Sequence, residues 1–402
     1  MKKALWIPQL ATVDKITGKT IINADSNITI MNGVINKLHE EFVFYVLLPE
    51  QEKCNCLHSE AISEHAYILN SLNAPIHSFA LRYDFNFNEM MDIITTSQPD
   101  IIVNNTPSLT RNIKAVAYLA KNKAKIISFL HFLDHPEENK VPCEVSYFIR
   151  QMEGILCADK AVFQSYTVAE KAMQALNTYL PDMKHLLNPL IDAEGDHLHY
   201  DIWNATYSQD AINKYQGEKQ FDKKTIVFPN RLSSTNYSNH LRFFEAIRNI
   251  SKTRNDFQVI VNNPTKYMSY IEIEKVCPNL LVLNNGELLD TKQYFEMLWE
   301  ADIGVALFTQ EGHGGVSSKE FQAAGCLSVF PKVNEYQHLM PSDYQGFCKS
   351  DLSNLEDALN CVLDVARTPV GNELASIGHK MIYERDSIEF NIHNVKRTLE
   401  TI

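Results

Sequence analysis

The chain has 402 residues, of which 45% are hydrophobic and 21% are charged. This length exceeds what one hydrophobic core usually supports, so two domains are expected, and the composition excludes extended disorder. The net charge of −12 counts against tight nonspecific binding of nucleic acid, although a local basic groove can lie on an acidic protein.

The N-terminal stretch MKKALWIPQL is too briefly apolar for a secretion signal, and no apolar run reaches the length of a membrane span. The eight cysteines are scattered, and their only local cluster is Cys54, Cys56 and His58. This cluster lacks a second ligand pair at zinc-finger spacing, so it predicts free thiols rather than a metal site. These features predict a cytoplasmic protein with no membrane partner.

Apolar runs of strand length alternate with amphipathic stretches through the first half of the chain. The sequence predicts strands in KKALWIP and in the runs 42–49, 99–105, 124–132 and 159–165, and a helix from about Asn27 to His39. Alternation of this kind predicts parallel strands joined by right-handed helical crossovers.

A polar stretch at 192–224 interrupts the alternation, which then resumes with predicted strands at 225–230, 257–263, 279–285, 301–308 and 326–331. We therefore predict a Rossmann-like α/β domain at 1–195, a linker at 196–222 and a second such domain at 223–380. The C-terminal helix, 381–402, is expected to pack back on the first domain. Two open α/β sheets that face each other are expected to bind ligands in the cleft between them.

The stretch EGHGGVSSKEFQAAGC, residues 311–326, carries the strongest chemical signal. A predicted strand leads into a loop with Gly312, Gly314 and Gly315, and a helix follows, with Ser317 or Ser318 as its expected N-cap and Gly325 after its end. A glycine-rich loop that opens into a helix favours binding of a diphosphate. Glu320 can accept hydrogen bonds from ribose hydroxyls. The alternative is a simple turn followed by a favourable charge near a helix start.

This stretch resembles the donor-nucleotide signature of GT-B glycosyltransferases of the glycogen synthase and glycosyltransferase 4 type. That signature has two glutamates, written E-x7-E, before EAMACGxPV. Glu320 matches the second glutamate. Glu311 is the candidate for the first glutamate, but it precedes Glu320 by nine positions, one more than in the family, so either one residue is inserted in the loop or the role has moved.

The run TIVFPNRLSSTNYSNHLRFFEAI resembles the opening of the GT-B C-terminal domain, where an arginine and a lysine contact the donor diphosphate. Arg231 matches the arginine. Asn236, Tyr237 and Ser238 occupy the region of the lysine, so either one cationic contact is missing or Arg242 or a residue elsewhere supplies it.

The run IISFLHFLDHPEE places His131, Asp134 and His135 after a predicted strand. By themselves they fit hydrogen-bonded loop residues, and a zinc site would lack further ligands. The cluster resembles the acceptor side of phage α-glucosyltransferases that modify hydroxymethylcytosine in DNA, and intermittent similarity extends from Asp100 to Ile402. The resemblance implies catalytic roles for His131 and Asp134 and acceptor binding by His135, Asn105 and Arg111. A related pattern occurs in tRNA-queuosine mannosyltransferases.

The predicted function is a retaining glycosyltransferase that moves a sugar from a nucleotide sugar, best a UDP-sugar, to a hydroxyl and needs no metal or other cofactor. The best candidate acceptor is 5-hydroxymethylcytosine in double-stranded phage DNA. A saccharide or a tRNA nucleoside is the alternative acceptor, and a nucleotide-sugar epimerase or a non-catalytic binding protein is the alternative class. A DNA acceptor requires a basic patch, for which the candidates are Arg111, Lys114, Lys121, Lys123, Lys125 and Lys140.

Overall fold

The computed structural model divides the chain into two compact units. The N-terminal unit comprises Met1–Thr206 and Ile388–Ile402, and the C-terminal unit comprises Tyr207–Ser387. The structure describes residues 1–10, 17–22, 25–71, 86–130, 142–179, 200–230, 232, 238–262, 280–283, 289–309 and 315–402.

The N-terminal unit is built on a seven-stranded sheet in which every strand pairs in parallel with its neighbours, in the order β3-β2-β1-β4-β5-β6-β7. The strands are β1 Lys2–Ile7, β2 Phe42–Pro49, β3 Ala66–Ser71, β4 Ile101–Asn104, β5 Lys125–Leu130, β6 Lys160–Phe163 and β7 Tyr200–Ile202. The central strands are continuous apolar runs because helices cover both faces of a parallel sheet.

Seven α-helices of the N-terminal unit lie in the described residues. They are α1 Ser26–Leu38, α2 His58–Ala61, α3 Phe87–Ser97, α4 Thr110–Leu119, α5 Pro142–Cys157, α6 Tyr166–Tyr179 and α13 Ile388–Thr401. Side chains that accept hydrogen bonds from first-turn N–H groups fix two helix starts: Asp25 caps α1, and Asn86 caps α3.

Helix α13 belongs to the N-terminal unit although it follows the whole of the C-terminal unit in sequence. Its buried residues Ile388, Val395 and Leu399 join the core cluster that contains the buried indole of Trp203. The indole N–H of Trp203 donates to the Thr398 hydroxyl at 3.0 Å, and that hydroxyl donates to the Asp201 carboxylate at 2.7 Å. The core of the N-terminal unit is therefore completed by residues 388–402.

The C-terminal unit contains a six-stranded parallel sheet in the order β10-β9-β8-β11-β12-β13. Its strands are β8 Lys224–Phe228, β9 Phe257–Asn262, β10 Leu280–Leu283, β11 Ile303–Val305, β12 Leu327–Pro331 and β13 Phe347–Cys348. Its described helices are α7 Gln209–Asn213, α8 His240–Ile250, α9 Thr291–Glu300, α10 Val316–Ala323, α11 Leu355–Val365 and α12 Pro369–Asp386.

Both sheets share one connectivity, in which the chain moves outward from the first strand and then returns to its other side. The reversal falls between β1 and β4 in the N-terminal unit and between β8 and β11 in the C-terminal unit. Open α/β sheets bind ligands beyond the carboxyl ends of the strands at such a reversal. The loops after β8 and β11 are therefore the place to look for a site in the C-terminal unit.

The amino end of β11 is held by charge pairs. The buried carboxylate of Asp302 accepts hydrogen bonds from the Lys219 amine at 2.7 Å, from the Arg367 guanidinium at 3.0 and 3.1 Å and from the Thr225 backbone N–H at 2.8 Å. Burial alone raises the pKa of Asp302, but the hydrogen bonds from Arg367 and Lys219 outweigh burial and lower the pKa below its usual value. This end of the strand is a structural anchor.

The strands predicted at the centres of both sheets are confirmed, whereas the edge strands β3, β7 and β13 were not predicted. The span 196–222, interpreted from sequence as a linker, contributes β7 to the first sheet and α7 to the C-terminal unit. The division between the units falls after Thr206. Among the described helices, none is long and apolar enough to cross a membrane.

Candidate functional site

The reversal point of the second sheet brings together the end of β8 and the first turn of α10. Strand β8 ends at Phe228 and continues into Pro229 and Asn230, and α10 starts at Val316 after the loop that follows β11. The Ser317 hydroxyl on the first turn of α10 donates to the Asn230 side-chain oxygen at 3.0 Å. This hydrogen bond ties the helix start to the strand end.

The N-cap of α10 is Gly315, which has a φ of 67°. The prediction that Ser317 or Ser318 caps the helix is wrong, because both serines lie inside the first turn. Ser318 uses its hydroxyl to donate to the Gly315 carbonyl at 2.6 Å. As a glycine, Gly315 has no side chain with which to cap the first-turn N–H groups of α10. These groups and the positive end of the helix dipole are suited to an anion.

Asn230 adds a second polar feature at the same place. The residue is 8% exposed, and its side-chain nitrogen has no hydrogen-bond partner among the residues that the structure describes. A buried N–H donor without an acceptor costs about 1–3 kcal/mol. Such a donor beside a helix N-terminus is suited to an oxygen atom of a ligand.

Glu320 lies on the second turn of α10 and is only 7% exposed. Its Oε2 accepts a hydrogen bond of 2.8 Å from the hydroxyl of Tyr294, on the first turn of α9. Burial raises the pKa of Glu320 to about 7, against the opposing effect of the Tyr294 hydrogen bond. A buried carboxyl that ionises near neutral pH is a frequent feature of functional sites.

The far end of α10 is closed by a Schellman motif. The Gly325 N–H donates to the Gln322 carbonyl at 2.9 Å, and the Cys326 N–H donates to the Phe321 carbonyl at 3.0 Å. Gly325 has a φ of 81°, a conformation that favours glycine. The prediction that Gly325 follows the helix end is confirmed.

A buried ion pair attaches α10 to the end of α12. The Lys319 amine lies 2.8 Å from the Asp386 carboxylate, and the two side chains are 1% and 0% exposed. The adjacent Arg385 forms an ion pair with the buried Glu335. Lys319 and Glu320 are neighbours in sequence but have different partners. Lys319 attaches α10 to α12 through Asp386, whereas Glu320 accepts the hydrogen bond of Tyr294.

Several predicted site residues lie outside the described residues: His131, Asp134, His135, Arg231, Glu311, Gly312 and Gly314. Their roles remain predictions. The structure brings together Gly315, Ser317, Ser318 and Glu320 on one helix start.

In the N-terminal unit, Asn105 and Arg111 have quite different surroundings. Asn105 is buried beyond the end of β4, and its side-chain oxygen accepts a hydrogen bond of 2.9 Å from the Trp6 indole. Arg111 is exposed on α4 and pairs with Glu153 at 2.5 Å. Acceptor binding by either residue stays a prediction.

In the cluster of Cys54, Cys56 and His58, two side chains contact each other directly, and the three do not form a set of metal ligands. The Nε2 of His58 lies 3.3 Å from the Cys54 sulfur, and both side chains are buried. Burial, together with nearby Cys56, raises the pKa of the Cys54 thiol to about 11. In the part of the chain that the structure covers, no group of three His, Cys, Asp or Glu side chains could hold a metal ion.

Three residues of this region were not identified from the sequence as functional. They are Asn230, which precedes Arg231, Lys319, which precedes Glu320, and Tyr294. Tyr294 does pack against the core of the C-terminal unit, but its hydroxyl reaches Glu320. No signal in the sequence connects positions 294 and 320.

No protein-family model matches the chain, and no curated protein matches it in sequence. Solved structures match along the whole chain. Anabaena Alr3699/HepE, in complex with UDP and glucose, has a TM-score of 0.67 and 13% identity, with 100% of both chains covered. A glycosyltransferase from Rickettsia africae has a TM-score of 0.61 and 13% identity, covering 99% of this chain and 97% of the other.

A trehalose-6-phosphate synthase structure, described in terms of glycosyl transfer with retention, has a TM-score of 0.61 and 14% identity, covering 100% of this chain and 99% of the other. At this level of identity the likeness shows the fold. The fold is GT-B, with two Rossmann-like α/β units in one chain, as predicted from the sequence.

Proposed function

We propose that this protein is a glycosyltransferase that moves a sugar from a nucleotide sugar, with UDP as the nucleotide, to a hydroxyl group. The observation that carries the proposal is the start of α10 at the reversal point of the second sheet. There the N-terminal end of the helix is tied by Ser317 to Asn230, whose buried amide nitrogen is unpartnered among the described residues, and Glu320 follows on the next turn. The similar structures from Anabaena, in complex with UDP or UDP-glucose, support the choice of nucleotide.

The chemistry of the departing diphosphate gives each group a role. As the bond between sugar and phosphate breaks, negative charge develops on the diphosphate oxygens. First-turn N–H groups of α10 and the Asn230 amide would stabilise that charge, and the family resemblance adds Arg231. Preorganised donors of this kind act without reorganising during the reaction, which is why they lower the barrier.

The remaining roles rest on the family resemblance. Glu320 would accept hydrogen bonds from the ribose hydroxyls, and Glu311, His131 and Asp134 would act at the transferred sugar. Retention of the anomeric configuration follows the same resemblance, and the described likeness to trehalose-6-phosphate synthase supports it. No metal is assigned a role.

The acceptor is a finer proposal, hydroxymethylcytosine in DNA. The candidate basic patch is partly neutralised: Arg111 pairs with Glu153, while Lys114 and Lys125 lie 3.3 and 3.9 Å from Asp159. Lys121 and Lys123 are exposed and would have to carry much of the phosphate contact. A base in duplex DNA would also have to leave the stack at a cost of a few kcal/mol.

The test is incubation with UDP-, GDP- and ADP-sugars labelled in the sugar, in separate reactions with hydroxymethylated DNA, tRNA, a saccharide panel or no acceptor. Label in an acceptor supports a transferase and identifies the acceptor class. A converted sugar nucleotide without acceptor would instead mean an epimerase, and binding without turnover would mean a non-catalytic protein. Glu320→Ala should reduce transfer, whereas Glu296→Ala, an exposed glutamate on α9, should not.

A further inference from the structure

The pair Tyr294–Glu320 joins two helices that begin at the same edge of the second sheet. Helix α9 follows β10 and α10 follows β11, and a helix that follows a parallel strand starts beside the carboxyl end of that strand. Tyr294 lies on the first turn of α9, and Glu320 lies on the second turn of α10. Their hydrogen bond of 2.8 Å therefore lies at the proposed nucleotide edge.

We propose that Tyr294 is a positioning residue that holds the carboxylate of Glu320 for the ribose of the nucleotide and so makes the site selective for ribonucleotides over deoxyribonucleotides. This inference rests on the proposed function, because it assigns the ribose to the Glu320 side chain.

The donor and acceptor inventory supports this role. An ionised carboxylate has two oxygens with about four lone-pair positions, and the Tyr294 hydroxyl occupies one of them on Oε2. Oε1 accepts no hydrogen bond from any other described residue. The two hydroxyls of a ribose are neighbouring donors, so a carboxylate held at one oxygen can accept from both. A deoxyribose lacks one of these donors.

Tyr294 is itself held rigidly. A capping box fixes the start of α9: the Gln293 N–H donates to the Asp290 carboxylate at 2.8 Å, and the Asp290 N–H donates to the Gln293 side chain at 3.1 Å. The Tyr294 N–H then donates to the Asp290 carbonyl at 3.0 Å. The phenol thus approaches Glu320 from a fixed helix turn.

Three titratable groups on or near α10 are engaged with partners other than Glu320. Lys319 pairs with Asp386, His379 contacts Gln209, and Asp302 pairs with Lys219 and Arg367. Cys326 donates to backbone carbonyls. Within the described residues, Tyr294 is the side chain that contacts the Glu320 carboxyl.

The experiment compares binding of UDP and 2′-deoxy-UDP by calorimetry across pH 5.5–9 in wild type, Tyr294→Phe and Tyr344→Phe. The ratio of the two dissociation constants reports the ribose contact, because ionisation of the phosphates affects both ligands equally. Tyr344 is the matched control, a buried tyrosine of the same unit whose hydroxyl donates to the Ser328 carbonyl at 2.7 Å.

Wild type should prefer UDP by roughly tenfold above pH 7, and Tyr294→Phe should reduce this preference to about twofold, since one charged hydrogen bond is at stake. The preference for UDP should rise with pH as Glu320 ionises. In Tyr294→Phe the pH midpoint of this rise should lie higher than in wild type, because Tyr294 favours the ionised form of Glu320. Tyr344→Phe should keep the preference and the midpoint of wild type.

An unchanged preference and midpoint in Tyr294→Phe would overturn the positioning role while leaving nucleotide binding in place. Equal binding of UDP and 2′-deoxy-UDP by wild type would overturn the assignment of ribose to Glu320. Absence of binding of any nucleoside diphosphate by wild type would overturn the proposed function itself.

Discussion

Lys319 and Asp386 form a 2.8 Å ion pair from which water is almost wholly excluded, and they join the nucleotide-edge helix α10 to the last residue of α12. Asp386 is the acidic partner of the Lys319 amine, while the Arg385 guanidinium lies 3.9 Å from the same carboxylate. Removing one partner from such a pair leaves an uncompensated buried charge.

We therefore expect Lys319→Met to lower the free energy of unfolding by about 3–5 kcal/mol. The double variant Lys319→Met/Asp386→Leu should regain most of this loss, because no charge is left buried without a partner. Urea denaturation measures both. Lys380→Ala is the control, since Lys380 and Glu384 form an exposed pair on α12 and their loss should cost under about 1 kcal/mol. A Lys319→Met loss as small as the control would contradict the role of the pair.

Glu320→Gln should raise the free energy of unfolding above neutral pH and lower the affinity for UDP. Burial raises the folded-state pKa of Glu320 from 4.5 to about 7, so the folded protein holds a proton that the unfolded chain releases. This stabilising contribution is present at acidic pH and is lost as the pH rises through 7.

Glu320→Gln does not ionise, so at pH 8 it should be more stable than wild type by up to about 3 kcal/mol, with little difference at pH 5. UDP affinity should fall about tenfold or more, because a hydrogen bond to a charged group is lost. Denaturation at both pH values and calorimetry with UDP are the measurements. A variant that is less stable at pH 8 than at pH 5, relative to wild type, would contradict the raised pKa.

Asn230→Asp should weaken the binding of a nucleoside diphosphate. The substitution keeps the shape of the side chain and its contact region with Ser317, but it replaces the unpartnered amide with an anion. UDP affinity should fall more than tenfold, whereas Asn230→Ala, which only removes the donor, should lose roughly three- to tenfold. Competition binding with UDP, UMP and uridine locates the effect: an equal loss for uridine would mean that the damage is not at the phosphates.

Gly325→Ala should cost about 1–2 kcal/mol of stability, because the residue after α10 has a φ of 81° and a Cβ is strained there. Nothing lies within 4 Å of the position of that Cβ, so the cost reflects the backbone alone. Gly217→Ala is the matched control, since its added Cβ also meets nothing and its φ is not positive. Thermal unfolding of both variants distinguishes backbone strain from the loss of a flexible residue.

The central strands could be predicted because their burial on both faces leaves a continuous apolar run, as in FVFYVLLP of β2. Three of the four edge strands, β3, β7 and β13, could not. Strand β3, AYILNS, is half exposed and partly polar, and β13 has two residues, so neither has the composition of a core strand. The polar stretch around β7 was interpreted as a linker because a strand of three residues adds little apolar signal.

The candidate site was predictable where function lies within one local motif. The glycine that ends α10 and the position of Glu320 follow from the local sequence. Contacts between distant positions do not: the bonds of Ser317 to Asn230 and of Tyr294 to Glu320 span 87 and 26 positions. Ser317 failed as the predicted cap because the helix begins at Val316, which places Ser317 inside the first turn, where its hydroxyl donates to Asn230.

The position of α13 has a consequence for synthesis. Residues 388–402 complete the core around Trp203, yet they leave the ribosome only after the entire C-terminal unit. During synthesis, part of the apolar surface of the N-terminal unit therefore stays uncovered until α13 is made. The C-terminal unit can complete its own core before that point. A chain that terminates shortly after Ser387 would contain the whole C-terminal unit, but the core of its N-terminal unit would be incomplete. We expect chaperones and proteases to act on that N-terminal unit.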